Sequence, residues 1–466
     1  MKNSLDSLPP EPERSPVASR VKRWGRWVIG ALLAFWLLVF AVWGALHAFI
    51  VPRIGDYREW LQAQATQAVG LQVRVANLRV TGGWLVPWIE TDRVELRDAQ
   101  GEEVLLLPHV QVAVSPLGLL RGKLDQLVVD RPELDISRDA QGHVWVAGVD
   151  VSAGGGDSQA ALDWLFSQPE WVVRQGQVTW HDALRPEASD LVLTSVSWVM
   201  QNNWRGHSFE LKATPPEQLA KPVVLQAHFD QSWFSRAGDV SNWHGQLFAN
   251  LPRVDMKALR QWAPVTSPQM SVGEGLGGLR VWADVAQGEW VGFAADVALD
   301  TVQVQFAKEP QPLRLNQVFG RLGAHWGADD IEISSKDLVF DTQEGEHWPG
   351  GELRLSWRTE DAAIGSLQAD RLDLQALSQM SQRLPLPQAW RDVLIQAQPQ
   401  GQVNQLAVTW RQKGEAESAA LDYAAKGWVK DLQWLRSEQP HPWLAHLPGV
   451  RGAKVEFDVT QQGGKA

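Results

Sequence analysis

Apolar and polar residues alternate with a period of two along most of this chain, and the alternation begins only after an uncharged stretch of twenty-six residues, Trp27 to Pro52. In Glu352 to Arg358, ELRLSWR, the side chains of Leu353, Leu355 and Trp357 fall on one side of an extended backbone. Glu352, Arg354, Ser356 and Arg358 fall on the other, because successive strand residues point to opposite faces. The same beat runs through Val94/Leu96, Val178/Trp180, Val223/Leu225/Ala227/Phe229, Val291/Phe293/Ala295/Val297, Val302/Val304/Phe306 and Leu406/Val408/Trp410. Roughly eighteen such runs, separated by turns rich in Gly, Asp, Asn and Pro, predict a mainly β chain. Helical spacing is confined to short stretches. Tyr57, Trp60, Leu61, Ala65, Ala68 and Val69 form one stripe ahead of a stop at Gly70, and Gln159 to Phe166, Met256 to Trp262, Leu374 to Arg383 and Gln433 to Leu435 are the others. Helices that sparse cannot supply the crossovers of a parallel sheet, so the sheet should be mostly antiparallel, dry on one face and wet on the other.

Two architectures satisfy this pattern. A closed sandwich or barrel would bury the apolar faces against each other, whereas one long curved sheet would leave them lining a groove. Ordinary β domains favour the sandwich, since long uncovered apolar faces are unusual. Periodicity alone does not choose.

The uncharged run reaches about 39 Å as a helix, more than the roughly 30 Å hydrocarbon core of a bilayer. Its central part, VIGALLAFWLLVFAVWGALHAFI, is interrupted only by His47, near the end where a polar ring reaches the headgroup layer. Lys2, Arg14, Arg20, Lys22, Arg23 and Arg26 precede the run against Asp6, Glu11 and Glu13, while Arg53 and Arg58 balance Asp56 and Glu59 after it. The positive-inside rule then puts the N-terminus in the cytoplasm, with Trp24 and Trp27 on one side and Tyr57 and Trp60 on the other suited to interfacial belts. A cleaved signal peptide fits less well, because the stretch is too long and no small-x-small pair closes it.

Net charge is −11, and residues 1 to 53 carry seven basic and three acidic groups, so the rest carries −15. A body that acidic is a poor partner for nucleic acid, and the basic N-terminal segment is explained by topology and anionic lipid. Cysteine is absent, which removes disulfides, thiolate metal sites and cysteine nucleophiles. Linker signals are few: Ser152 to Gln159, a softer break around Pro215 and Pro216, and Ala263 to Pro268.

Motifs for chemistry are weak. Gly273-Glu274-Gly275-Leu276-Gly277-Gly278 satisfies G-x-G-x-x-G, but Leu279, Val281, Ala283 and Val285 follow in strand period, and a dinucleotide site needs a helix there. His441/His446 and His228/Asp230 lack a third ligand at a telling spacing. Ser19-Arg20-Val21-Lys22 fits S-x-x-K but lies in the tail before the span, and there is no nucleophile elbow, P-loop or H-E-x-x-H. Asp329 and Asp330 read as a solvated turn. The reading is therefore non-enzymatic, without catalytic residues, metal or cofactor. The twenty-six tryptophans suit a core, a groove wall or, less well, sugar stacking.

Several local strings carry a resemblance. YREWLQAQATQAVGLQVRV (57 to 75) resembles the opening of AsmA-like envelope proteins, with an anchor, a short amphipathic helix and a first strand. LVVDRPELDI (127 to 136), followed by Ser137, Arg138 and Gly142 to Val146, is similar to that family's strand-turn-strand unit, in which Pro132 fixes φ and starts a new strand. HSFELKATPP (207 to 216) with Pro222 to Phe229, Leu372 to Pro387 and Leu447-Pro448-Gly449 resemble the YhdP branch, related to TamB. The resemblance implies an N-terminal transmembrane helix followed by a long, curved, mostly antiparallel β-sheet forming a hydrophobic groove, with a few short helices. It implies a protein of the inner membrane of Gram-negative bacteria, single-pass, N-terminus cytoplasmic and bulk periplasmic, of the bridge-like lipid transfer type, moving phospholipid between inner and outer membranes. Partners would be the inner membrane, phospholipids and outer-membrane or other envelope proteins.

The expected layout is a disordered cytoplasmic tail (1–23), an anchor (24–53), an AsmA-like β segment with a leading helix (54–151), a linker (152–160) and a repetitive β groove segment (161–466). YhdP-branch members are usually far longer, so a fragment holding the N-terminal part is expected. Candidates for the groove wall are Val223, Leu225, Phe229, Val291, Phe293, Leu353, Leu355, Trp357, Leu406 and Val408. The rival is an envelope assembly or structural factor with closed β domains.

Overall fold

The computed structural model describes residues 16–45, 48, 51–81, 86–98, 100–115, 118, 123–147, 149–150, 156–262, 270–306, 309, 311–358, 364–386, 388–412, 421–434, 449–461 and 463–465. Helix α1 (Pro16–Ala45) starts inside the stretch expected to be disordered. Its apolar part, Trp27–Ala45, is 19 residues long and stands almost bare, long enough at 1.5 Å per residue to cross roughly 28 Å. His47, Ala263 to Pro268, His441, His446 and Leu447-Pro448 lie outside the described residues, as do 1–15 and 151–155.

After a 3-10 turn at Val51–Tyr57, α2 (Arg58–Val69) runs to Gly70, whose φ of 78° and N–H to Thr66 O (2.9 Å) end it as the sequence predicts. A small antiparallel sheet follows in the order β1 (Gln72–Val75), β4 (Val94–Arg97), β5 (Glu103–Leu107). Val73, Val94 and Leu96 from it pack with Ala65 of α2 on Val110, Leu127 and Val129.

Those last three residues belong to one long sheet. It starts with β2 (Arg79–Thr81), β3 (Trp88–Thr91), β6 (His109–Ala113) and β7 (Gln126–Asp130). Both β7 and β8 (Glu133–Arg138) lie parallel to β11 (Glu170–Asp182), end to end along its two halves, and β9 (Val144–Val146) and β10 (Val149–Asp150) branch from β8. From β11 onward each strand pairs antiparallel with the next: β12 (Leu191–Asn202), β13 (Gly206–Thr214), β14 (Val223–Gln231), β15 (Trp243–Asp255), β16 (Met270–Ala286), β17 (Glu289–Phe306), β18 (Leu313–Trp326) and β19 (Asp330–Thr342). β19 then holds two shorter strands end to end, β20 (His347–Pro349) and β21 (Leu353–Arg358). The series continues through β22 (Ile364–Asp373), β23 (Gln400–Gln412), β24 (Leu421–Trp434), β25 (Val450–Thr460) and the short β26 (Gly463–Lys465).

Among the described residues no pairing joins the last strands to the first; the order branches at β11 and β19 but does not return on itself. The body is one long open series of strands, mostly antiparallel. The sandwich that ordinary frequencies favoured is not what the chain builds.

A belt of backbone irregularities crosses this sheet. Arg131, Gln175, Ser195, Thr301, Asp337, Gln405 and Asp431 all have φ between 50° and 53°, and the ladders slip near most of them. Each added residue exchanges the inward and outward parity of a strand. Val291 to Val297 and Val302 to Phe306, two runs out of phase by one residue, are thus a single strand interrupted at Thr301. Leu299 before the break and Val302 after it sit in the same buried cluster, so the slip keeps the apolar residues on one face.

Short helices seal that face near the belt. Asp255 caps α4 (Met256–Leu259) by accepting from Lys257 N and Ala258 N, and Met256 joins Leu219, Ala220 and Val254. Ala376 and Met380 of α5 (Leu374–Met380) close over Leu299, Val302, Leu313, Leu315 and Val318. A helix also forms where predicted before β11, α3 (Gly156–Ser167), which begins within the expected linker. Two details differ from expectation. Gln433 and Trp434 belong to β24, because the backbone ladder runs on through them, Gln433 opposite Gln400 and Trp434 opposite Val450. An additional helix, α6 (Gln388–Ala397), follows α5; Val393, Leu394 and Ala397 give it an apolar stripe, and the prolines before it hid its start.

Candidate apolar binding face

Cross-strand registers trace one row across the long sheet. From Val80 it passes through Ile89, Val112, Leu127, Trp171, Met200, Phe209, Ala227, Leu247, Ala283 and Phe293. It continues through Ala324, Ile333, Leu355, Leu367, Val408 and Ala425 to Val459. Every member is apolar, and at about 4.8 Å between strands the row is on the order of 80 Å long. Its large and small residues alternate in places, with Ala227, Ala283, Ala324 and Ala425 beside Leu247, Phe293, Ile333 and Val408.

The opposite face at the same level is polar and tied across strands. Gln226 Nε2 donates to Glu210 Oε2 (2.9 Å) and Gln246 Nε2 to Asp284 Oδ1 (2.8 Å). Arg321 pairs Asp296 (2.6 Å), Arg354 pairs Glu332 (3.2 Å), and the hydroxyls of Ser356 and Ser366 lie 2.9 Å apart. The Arg321 guanidinium holds the Asp296 carboxyl below its usual range. Exposed pairs of this kind add little stability each; they identify the wet side.

All ten wall candidates lie on the dry face, on β14, β17, β21 and β23, by the same registers. They do not share one environment. Val223 is packed against the Leu219–Val254 cluster, and Leu353 and Leu406 against Ala369, Leu372 and Val403. Phe229 is enclosed by Phe209 (5.8 Å between ring centroids) and Trp243 (5.5 Å), over which Phe166 of α3 stands at 4.8 Å from Trp243. These four are structural. Leu225, Val291, Phe293, Leu355, Trp357 and Val408 belong to none of the four buried clusters. Phe293 is 37% exposed and Ile333, two places along the row, 43%, values too high for a sealed core. Trp357 faces Gly365, which faces Trp410; a Cβ on Gly365 would meet the Trp410 ring at 2.2 Å, so glycine makes room for the indole. The row members Leu247, Ala283, Ala324, Ile333, Leu367 and Ala425 were not among the candidates, and only cross-strand register reveals them.

At the N-terminal end the row is covered. Leu127 and Trp171 pack under the small sheet, Met200 is fully buried, and α3 stands over Phe209. Beside it His207, 1% exposed, stacks on Trp243 at 4.3 Å, with Nδ1 2.7 Å from Asn202 Oδ1 and Nε2 3.2 Å from Gln231 Oε1. Burial pushes its imidazole below the ordinary value of 6.5. A depressed pKa in the folded state means that acid favours the unfolded chain. The stability tied to neutral His207 is full above the unfolded pKa and falls as pH drops below about 6.5. The thermal midpoint should therefore fall between about pH 7.5 and 5.5, and His207→Gln should flatten that fall in a melting series. An identical pH slope in the variant would refute the assignment.

Gly273 to Gly278 lies within β16, with no helix after it, so the glycine motif has no dinucleotide geometry. Among the described residues no three His, Asp or Glu side chains converge on a metal position. His228 is solvent-facing beside Asp230, 4.0 Å away.

A family model described as YhdP protein matches residues 18–466, nearly the whole chain. No curated protein matches it.

Proposed function

We propose that this chain, which belongs to the YhdP family, is a non-enzymatic lipid conduit tethered to the membrane by α1. In this reading acyl chains lie along the apolar row while headgroups remain in water, and phospholipid moves between the inner and outer membranes. The anchor would sit in the inner membrane with its basic end in the cytoplasm and the β body in the periplasm. The observation that carries the proposal is the unbroken row from Ala227 to Val459, with Phe293 and Ile333 exposed on it. A continuous apolar surface of that length is rare on a protein that meets only water.

The energetics ask for no bond to be made or broken. Each methylene withdrawn from water contributes about 0.8 kcal/mol, so carrying a sixteen-carbon chain bare through water would cost on the order of 12 kcal/mol. A surface that replaces bilayer with protein at every step removes most of that barrier. The sheet order suits this use, because strands added side by side lengthen the same face without a second layer.

Native mass spectrometry of the detergent-extracted protein tests the reading. The expected result is phospholipid bound at more than one molecule per chain. Lipid present only in substoichiometric traces would favour the rival, a structural or assembly factor.

A further inference from the structure

We propose that the β12–β13 and β14–β15 turns form an aromatic foot that enters the headgroup layer of the same membrane that holds α1. Three aromatic side chains stand exposed there among the described residues: Trp204 at 78% exposure, Trp233 at 63% and Phe234 at 102%. They are arranged and not merely loose. Trp204 and Trp233 meet edge to face at 5.4 Å, and the Arg205 guanidinium lies 4.4 Å from the Trp233 ring centroid while donating to Gln231 O (3.3 and 3.2 Å).

The partner is fixed by continuity with the anchor. The second turn is pinned to α3, where Gly238 N–H donates to Asp163 Oδ1 (2.9 Å) and a Cβ on Gly238 would strike Asp163 N at 2.5 Å. Helix α3 packs on α2. α2 is held to β1 by Val73 N–H on Thr66 Oγ1 (3.0 Å) and Gln62 on Val75 O (3.2 Å), and it begins directly after the 3-10 turn that follows the span. This series of contacts ties the foot to the segment that follows the span, and α2 itself is only about 18 Å long. Trp60, 60% exposed on α2, adds to the same belt. Tryptophan partitions to the headgroup layer because its ring is apolar and its N–H is not, and Arg205 beside it suits phosphate. The foot would fix the tilt of the body, presenting its N-terminal end to the leaflet. This inference needs only the anchor and stands whether or not the body carries lipid.

Because the chain has no cysteine, a Phe234→Cys variant of the full chain takes a single environment-sensitive fluorophore, and its site makes no packing contact to lose. In proteoliposomes of phosphatidylethanolamine and phosphatidylglycerol, shallow spin-labelled lipid should quench this label at least about twofold more than one on Trp290→Cys. Trp290 is 61% exposed at the start of β17, three strands on from β14. Equal quenching at both sites, or a label at 234 open to aqueous iodide, would overturn the foot. A label shielded from both quenchers would mean that a protein surface covers it, which also overturns it.

Discussion

Phe293→Asp should reduce photo-crosslinking of phospholipid to the protein by about tenfold or more while leaving the protein in the membrane. Phe293 occupies the middle of the row, opposite Ala283 on β16 and Ala324 on β18. At 37% exposure it gives up only part of its burial when replaced, on the order of 1 kcal/mol, so the fold should survive. An acyl chain passing over a carboxylate must strip its water, a cost of several kcal/mol that falls entirely on the bound lipid. Leu355→Asp, between Ile333 and Leu367 three strands away, should act equally. Combining the two should add little, since on the proposed path, which runs in series, either one alone would block passage. Unchanged capture in a folded variant would mean that these side chains face a closed interior.

Much of this was readable because strand period survives in sequence. The anchor, the α2 stop at Gly70, the antiparallel order and the dry side of β14, β17, β21 and β23 follow from local spacing. What sequence hides is everything set by register. Phe293 and Leu355 share one row in space but lie 62 residues apart along the chain, and no local spacing places them together. The belt of bulges is half visible: Val297 and Val302 are out of step, which reads as two strands until Thr301 is seen at φ 53° inside one. The same limit mixed structural residues such as Phe229 with exposed ones such as Phe293, because a strand pattern tells which side is dry and not whether a helix lies over it. The family resemblance supplied the open architecture that periodicity left undecided.

The belt itself makes the second large prediction. Gly277 has φ 156°, and a Cβ there would lie 2.1 Å from Ala298 O and 2.9 Å from Leu299 Cα. It pairs with Val254 on one side and Leu299 on the other, members of two different buried clusters. Gly277→Val must therefore push β16 away from β17 at the point where both clusters meet, and should cost more than about 3 kcal/mol. The damage should be local. The long strands make their contacts with adjacent strands and the short helices over them, so the sheet behaves as a string of coupled neighbours, as repeat arrays do. Hydrogen exchange should show lost protection in β15 to β18 while β11 to β13 and β23 to β25 keep theirs. Uniform loss along the chain would mean the body unfolds as one cooperative unit. Protection retained at β16 would mean the strands can separate there without cost, and the glycine has no structural reason to be present.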